Sequence, residues 1–91
     1  MSTKIVDLIS PAQCRGARGL LEITQSQLAE AANLGLSTVV DFEKSRRDVS
    51  APAIRAIRTA LNQAGVEFID ENGGGMGVRL QKRRGSKTSK K

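Results

Sequence analysis

The sequence predicts a mainly α-helical bundle of four to five helices, followed by a C-terminal β-hairpin and a disordered basic tail. Three observations carry that prediction. Two capping boxes, Ser10 to Gln13 and Thr24 to Gln27, each open a stretch whose apolar residues recur at helical spacing. A third apolar series, Ile54, Ile57 and Leu61, lies between Pro52 and Gly65, a start and a stop signal. Beyond Gly65 the pattern drops to strand-like alternation around a glycine-rich loop.

The elements follow in order. Residues 1–9, with Ile5, Val6, Leu8 and Ile9, read as a lead-in or a β-arm. Ser10 caps the first helix, Pro11 suits a first-turn position where its missing N–H is not needed, and Cys14, Ala17 and Leu21 give its apolar spacing. Thr24 opens a short second helix through Leu28, Ala29 and Ala32. Asn33 ends it, because Asn accepts the left-handed backbone that a tight turn requires. A third helix runs from about Leu36 to Lys44, and a fourth from Ser50 or Ala51 to Gly65. Val66 and Phe68, then Gly77 to Leu80, read as two strands joined by the loop Asp70 to Gly75. No helix follows that loop to supply an N-terminal dipole, so it does not read as a phosphate cradle. The domain units expected are residues 1–9, a helical unit 10–65, a hairpin 66–80 and a tail 81–91.

Composition narrows the function. The chain has 91 residues, 38% hydrophobic and 26% charged, enough for one folded domain with a thin core. With no His and one Cys (Cys14), one chain cannot assemble a zinc site or a disulfide framework, and no cofactor is expected. Cys14 reads as a small apolar core residue. Two aromatics, Phe42 and Phe68, make no platform for stacking unpaired bases. No apolar run approaches the ~18–20 residues of a membrane span and no signal-peptide pattern opens the chain, so a cytoplasmic protein is expected. Residues 1–78 hold eight Lys/Arg against nine Asp/Glu, whereas residues 79–91 hold seven basic residues and no acidic ones. The net charge of +6 therefore belongs to the tail, which suits a polyanion such as nucleic acid or serves as a solubilising end.

The stretch Thr24 to Arg47 carries the sharpest signal. At about 100° per residue, Thr38, Val39, Phe42 and Glu43 share one arc of the third helix, and Leu36, Ser37, Val40, Asp41 and Lys44 the other. Val39 and Phe42 are core candidates, so the second arc faces outward. Two short helices joined by a turn of three or four residues, the second with a mixed outer face, match the geometry that seats a helix in the DNA major groove. Ala29 lets the two helices approach closely.

These residues resemble the lambda-repressor and Cro-like helix-turn-helix regulators, the XRE family. The resemblance rests on Thr24-Gln25, Leu28-Ala29, the turn at Asn33-Leu34, Ser37-Thr38-Val39, Glu43 and Arg46-Arg47, and covers Ser10 to about Ala64. The hairpin segment also looks like the C-terminal extension of small proteobacterial members. The resemblance implies a lambda-repressor-like bundle that binds double-stranded DNA. In it Leu36, Ser37, Val40 and Asp41 face base edges, while Gln25, Thr38, Lys44, Arg46 and Arg47 hold phosphates. It also implies an ion pair, Arg18 with Glu43, bridging the first helix to the end of the third. Two departures stand out: Asn33 replaces the usual turn glycine, and Gly35 replaces the usual Ser or Thr cap. The outer face lacks Gln, Asn and Arg, the side chains that bond bidentately to adenine or guanine. What remains is thymine-methyl contact by Leu36 and Val40, a hydroxyl at Ser37, and Asp41 as acceptor for a cytosine amine, with DNA shape contributing.

The expected function is a homodimeric transcriptional regulator, repressor or activator, on a palindromic operator. Phe68, Ile69 and Val78 are the candidate dimer interface; the alternative is that the hairpin folds back on its own helices. Leu36 and Val40 have packing against the hairpin or a partner chain as their alternative, Asp41 a solvated helix charge, and Arg46 and Arg47 ordinary loop charges. The rival function is an antitoxin that autoregulates its operon and binds a toxin protein, with Ile5 to Ile9 as the docking candidate. An RNA-binding or architectural role through the tail is a further rival. Without His or a clustered nucleophile, no enzyme is expected.

Overall fold

The computed structural model describes residues 8–46, 48–70 and 74–81. It holds α1 (Pro11–Leu21), α2 (Gln25–Ala32), α3 (Leu36–Lys44) and α4 (Ala51–Ala64), then β1 (Val66–Ile69) and β2 (Gly77–Leu80). The bundle is the expected one, with four helices among the described residues. The tail from Lys82 onward, the segment Ile5 to Asp7 and Arg47 lie outside the described residues.

Local chemistry sets the helix ends. Ser10 Oγ accepts the Gln13 N–H at 3.0 Å while Gln13 Oε1 accepts the Ser10 N–H at 2.9 Å, closing the first capping box. Thr24 and Gln27 repeat the arrangement at the same two distances. At α4 the cap is Ser50, whose Oγ accepts the Ala53 N–H at 3.3 Å. Glu22, Asn33, Ser45 and Gly65 stop the four helices with left-handed backbones, at φ of 59°, 60°, 56° and 118°. After the first three, the following residue donates back to a carbonyl five positions earlier: Ile23 to Arg18, Leu34 to Ala29, Arg46 to Asp41. Each such bond satisfies a last-turn carbonyl and offsets the backbone strain.

The core is a continuous cluster in which Cys14, Leu28, Val39, Ile57, Leu61 and Val66 are sealed from solvent. Ile9 joins it, so the end of the N-terminal segment weighed as a docking surface is buried against the chain's own helices. Ala29 is buried where α2 meets α3.

The hairpin folds back on its own helices. Val66 pairs with Leu80, Glu67 with Arg79, Phe68 with Val78 and Ile69 with Gly77, antiparallel. The ribbon lies over α1 and α4, and Phe68 is buried in the core with the Arg58 guanidinium 5.4 Å from its ring centroid. Phe68 is therefore committed to the chain's own core, the alternative that the sequence left open for the hairpin. Four short helices leave a gap between α1 and α4, and Val66 and Phe68 fill it. Val78 packs half-buried against the same core, and Ile69 is half-buried. The Gln13 side-chain amide donates to the carbonyls of Ile69 (3.4 Å) and Gly77 (3.0 Å), fastening the ribbon to α1. Gly16 permits the close approach, since a Cβ there would sit 3.3 Å from Val78 Cγ2.

Candidate nucleic-acid interface

The α3 helix divides as its sequence spacing predicts. Val39, Phe42 and Glu43 are buried; Leu36, Ser37 and Lys44 are exposed; Thr38, Val40 and Asp41 are half-buried between them. Helices α2 and α3 pack together across the turn Asn33–Gly35, whose Leu34 rests on the core. Leu36 and Val40 form an apolar row one turn apart, and Ser37 and Asp41 a polar row beside it.

The C-terminal end of α3 is held by a dense polar junction. The Glu43 carboxylate, only 2% exposed, accepts Arg18 Nε on Oε2 and Arg18 Nη2 on Oε1, both at 2.8 Å. That two-pronged geometry is the strongest a guanidinium and a carboxylate make. Cys14 Sγ donates to Oε2 at 3.0 Å and Gln25 Nε2 to Oε1 at 3.0 Å. Arg18 Nη1 also reaches the Ile23 carbonyl at 3.2 Å, and Arg15 Nη1 donates to the backbone carbonyl of Glu43. Burial pushes the Glu43 carboxyl up, but hydrogen bonds from Arg18, Cys14 and Gln25, with the Arg18 charge, outweigh it and hold it below its ordinary 4.5. Burial first, then the bond to Glu43, drives the Cys14 thiol far above its usual range, so it stays protonated and donates. Hydrogen bonding to Glu43 likewise raises Arg18.

The N-terminal end of α3 is bare by comparison: Gly35 caps it in an extended conformation with no side-chain hydrogen bond. On the outer side, the exposed Arg46 lies with Nη1 3.9 Å from Oδ1 of the half-buried Asp41, a long surface pair of the kind worth ~0–1 kcal/mol. Lys44 projects beside it into solvent. Among the residues singled out from sequence, Leu36, Ser37, Val40, Asp41, Lys44 and Arg46 thus share one side of the α3 region. Gln25 sits behind it with an amide N–H engaged by Glu43. Arg15 escaped the sequence reading, as did the tertiary contacts of Cys14 with Glu43 and of Gln13 with the hairpin, and the helical spacing of Arg15 and Arg18 along α1 is the one signal that could have drawn attention to the first. No group of three His, Cys, Asp or Glu among the described residues could hold a metal ion. No described helix is long and apolar enough to cross a membrane.

A bundle that packs two short helices across a tight turn and exposes a mixed face on the second is a helix-turn-helix DNA-binding domain. The model of the helix-turn-helix family (HTH_3) matches residues 15–68, well over half of the chain, which therefore belongs to this Cro/C1-type, or XRE, family. The family is one of DNA-binding transcription regulators rather than of enzymes, and the chain is such a regulator. No curated protein matches the chain.

Proposed function

We propose that this regulator binds a two-fold symmetric operator as a homodimer, with α3 of each copy in the major groove. The observation that carries the reading is the division of α3, anchored through Glu43 on one side and presenting Leu36, Ser37, Val40 and Asp41 on the other. Leu36 and Val40 lie against thymine methyls, Ser37 bonds a base edge, and the Asp41 carboxylate accepts a cytosine amine. Lys44 and Arg46 hold phosphates, Arg46 trading its weak contact with Asp41 for the backbone. Thr38 and Arg47 serve the same backbone, and Gln25 reaches it with the amide hydrogen that Glu43 does not use. Two copies are needed because one short helix covers few base pairs, and each mismatch costs only ~1–3 kcal/mol. Half-sites about one helical turn apart follow from that geometry. The basic tail, residues 81–91, adds affinity through counterion release without choosing sequence, while Arg79 stays on β2 with Glu67. The regulator acts on DNA in the cytoplasm, and repression or activation follows from where the operator lies relative to its promoter.

Selection from random-sequence duplex DNA tests this. The enriched duplexes should carry inverted half-sites; Lys44→Ala should weaken all of them alike and lower the salt slope by about one. Ser37→Ala and Asp41→Asn should instead change which duplexes are enriched. A chain that enriches no sequence would overturn the reading.

A further inference from the structure

The two edges of the hairpin differ. An antiparallel ladder alternates residue pairs that exchange both backbone hydrogen bonds with pairs that turn theirs outward. The phase is fixed by the Gln81 N–H donating to the Gly65 carbonyl at 2.8 Å. With the observed register, Glu67–Arg79 and Ile69–Gly77 are the bonded pairs, and Val78 and Leu80 turn their N–H and C=O groups away from β1. At the β1 edge, which runs beside α4, the Asn62 amide donates to the Val66 carbonyl at 2.8 Å, and Phe68, whose outward groups bond to no described residue, is itself buried in the core. At the β2 edge no described residue bonds to the outward groups of Val78 or Leu80.

That open edge is flanked by apolar surface. Met76 and Leu80, at its two ends, are 52% and 53% exposed. Leu20, 40% exposed, lies on α1 one turn beyond Gly16, on the side that carries β2. With Leu36 of the reading face, these are the large exposed apolar side chains among the described residues. An unpaired, apolar edge is a template for another strand.

We propose that β2 pairs antiparallel with β2 of a second copy, Val78 opposite the partner's Val78 on a two-fold axis, joining two hairpins into one four-stranded sheet. The inference rests on the homodimer reading and supplies its interface. Charge and apolar matching choose both the occupant and the register. With outward groups at alternate positions, the two-fold registers on either side set Val78 opposite the partner's Leu80 or opposite the partner's Met76. The first brings Arg79 onto the partner's Arg79, and like charges directly opposed destabilise a ladder. The second sets Leu80 against the partner's Gly74 and leaves that exposed side chain uncovered. With Val78 on the axis, Met76 meets the partner's Leu80, both exposed side chains are covered, and Arg79 meets the partner's Gly77 while keeping its own Glu67 at 2.8 Å. A strand with one such residue at each end complements a reversed copy of itself. Leu20 of each copy then extends the apolar contact beneath the sheet.

Sedimentation equilibrium on the full chain, free and with a selected two-half-site duplex, tests the interface. The unaltered chain should be a dimer. Leu80→Pro removes an N–H that the chain's own ladder does not use, and edge strands tolerate proline there. It should keep the helical circular dichroism, sediment as a monomer, and lose about 100-fold or more in affinity for the two-half-site duplex as the linkage between half-sites is broken. Leu80→Lys, which leaves the backbone intact and sets a charge against the partner's Met76, should do the same and decides the matter if the proline variant fails to fold. For the register, Gly77→Cys mixed with Arg79→Cys should give an intermolecular disulfide, and Arg79→Cys alone should not; Cys14 is sealed in the core and does not compete. Dimers that persist in both Leu80 variants overturn the interface and leave the two-fold reading standing. A chain that is monomeric free and on DNA overturns both. A disulfide from Arg79→Cys alone overturns the register.

Discussion

The two ends of α3 are built on opposite principles. At the C-terminal end, Arg15, Cys14, Arg18 and Gln25 converge on Glu43, and the Glu43 carboxylate has a donor on each oxygen besides its ion pair. At the N-terminal end, Gly35 offers no side-chain cap and Leu36 stands in solvent. A helix that must meet a ligand in a fixed orientation needs one end tied to the body of the protein. The other end is free to present side chains whose partners come from outside. Satisfied polar groups mark the first kind of end, and unsatisfied or apolar exposed ones mark the second.

Breaking the tied end should have the largest effect. Arg18→Ala leaves the Glu43 carboxylate buried without its counter-ion, a loss of about 3–5 kcal/mol. Escape by protonation at pH 7 costs about the same, since each unit from the ordinary carboxyl value is ~1.4 kcal/mol. Glu43→Ala should cost less than Arg18→Ala, because Arg18 is 22% exposed and its guanidinium can turn to water. Thermal melts of the two variants measure the order; equal and small shifts would remove the junction as the anchor of α3.

Acid should loosen the same end more gradually. The folded Glu43 carboxyl lies below its ordinary 4.5, so the unfolded chain takes up the proton first as pH falls. Its contribution is therefore complete well above 4.5 and drains away as pH descends through the folded value. The gap in melting temperature between the unaltered chain and Glu43→Gln should be constant near neutrality and narrow below that point. A gap that stays constant into strong acid would show that the carboxylate charge is not what the junction uses.

How much of this was legible depended on whether the signal was local. Both capping boxes and the left-handed turn at Asn33 are sequence-local, and the structure forms them as the residues predict. The inner and outer arcs of α3 follow from spacing alone. The role of Cys14 was not legible, because a cysteine at helical spacing looks apolar until α1 and α3 are placed and its S–H meets Glu43. Gln25 likewise matches a phosphate-facing position, yet its amide is engaged by Glu43, a contact set by how α2 meets α3. Nothing in Glu22 or Ser45 as residue types announces a left-handed backbone; the returning hydrogen bonds after them hold it. That Phe68 turns into the chain's own core was not legible for a tertiary reason: alternation marks a strand's two faces but not which one finds a gap between helices.

The open end should respond to its ligand more than to its own stability. Replacing dT by dU in a selected duplex removes one methyl at a time, and a buried methyl is worth ~0.8 kcal/mol, about fourfold in affinity. Positions under Leu36 and Val40 should show that loss. In Leu36→Ala one of them should cease to respond, because the side chain that covered the methyl is gone. Titration by fluorescence anisotropy reads both. Indifference to dU at every position would show that the apolar row does not meet the major-groove floor.

The smallest expected effect comes from making the bare end resemble the others. Gly35 has φ −70° and ψ 151°, a conformation that any residue adopts at a helix start. A Cβ there would find only Ser37 Oγ, at 4.0 Å. Gly35→Ser therefore fits without strain and adds a hydroxyl that can accept from the first turn of α3, as Ser10 and Thr24 do for theirs. Glycine is already a tolerable cap, so the gain over it is a few tenths of a kcal/mol, or about 1–3 °C in a domain of this size. A melt that rises by that amount, with the DNA preference unchanged, would show that the missing cap is a local omission. A larger rise would mean that the first turn of α3 frays in the unaltered chain, and that the contrast between the two ends is one of order as well as of chemistry.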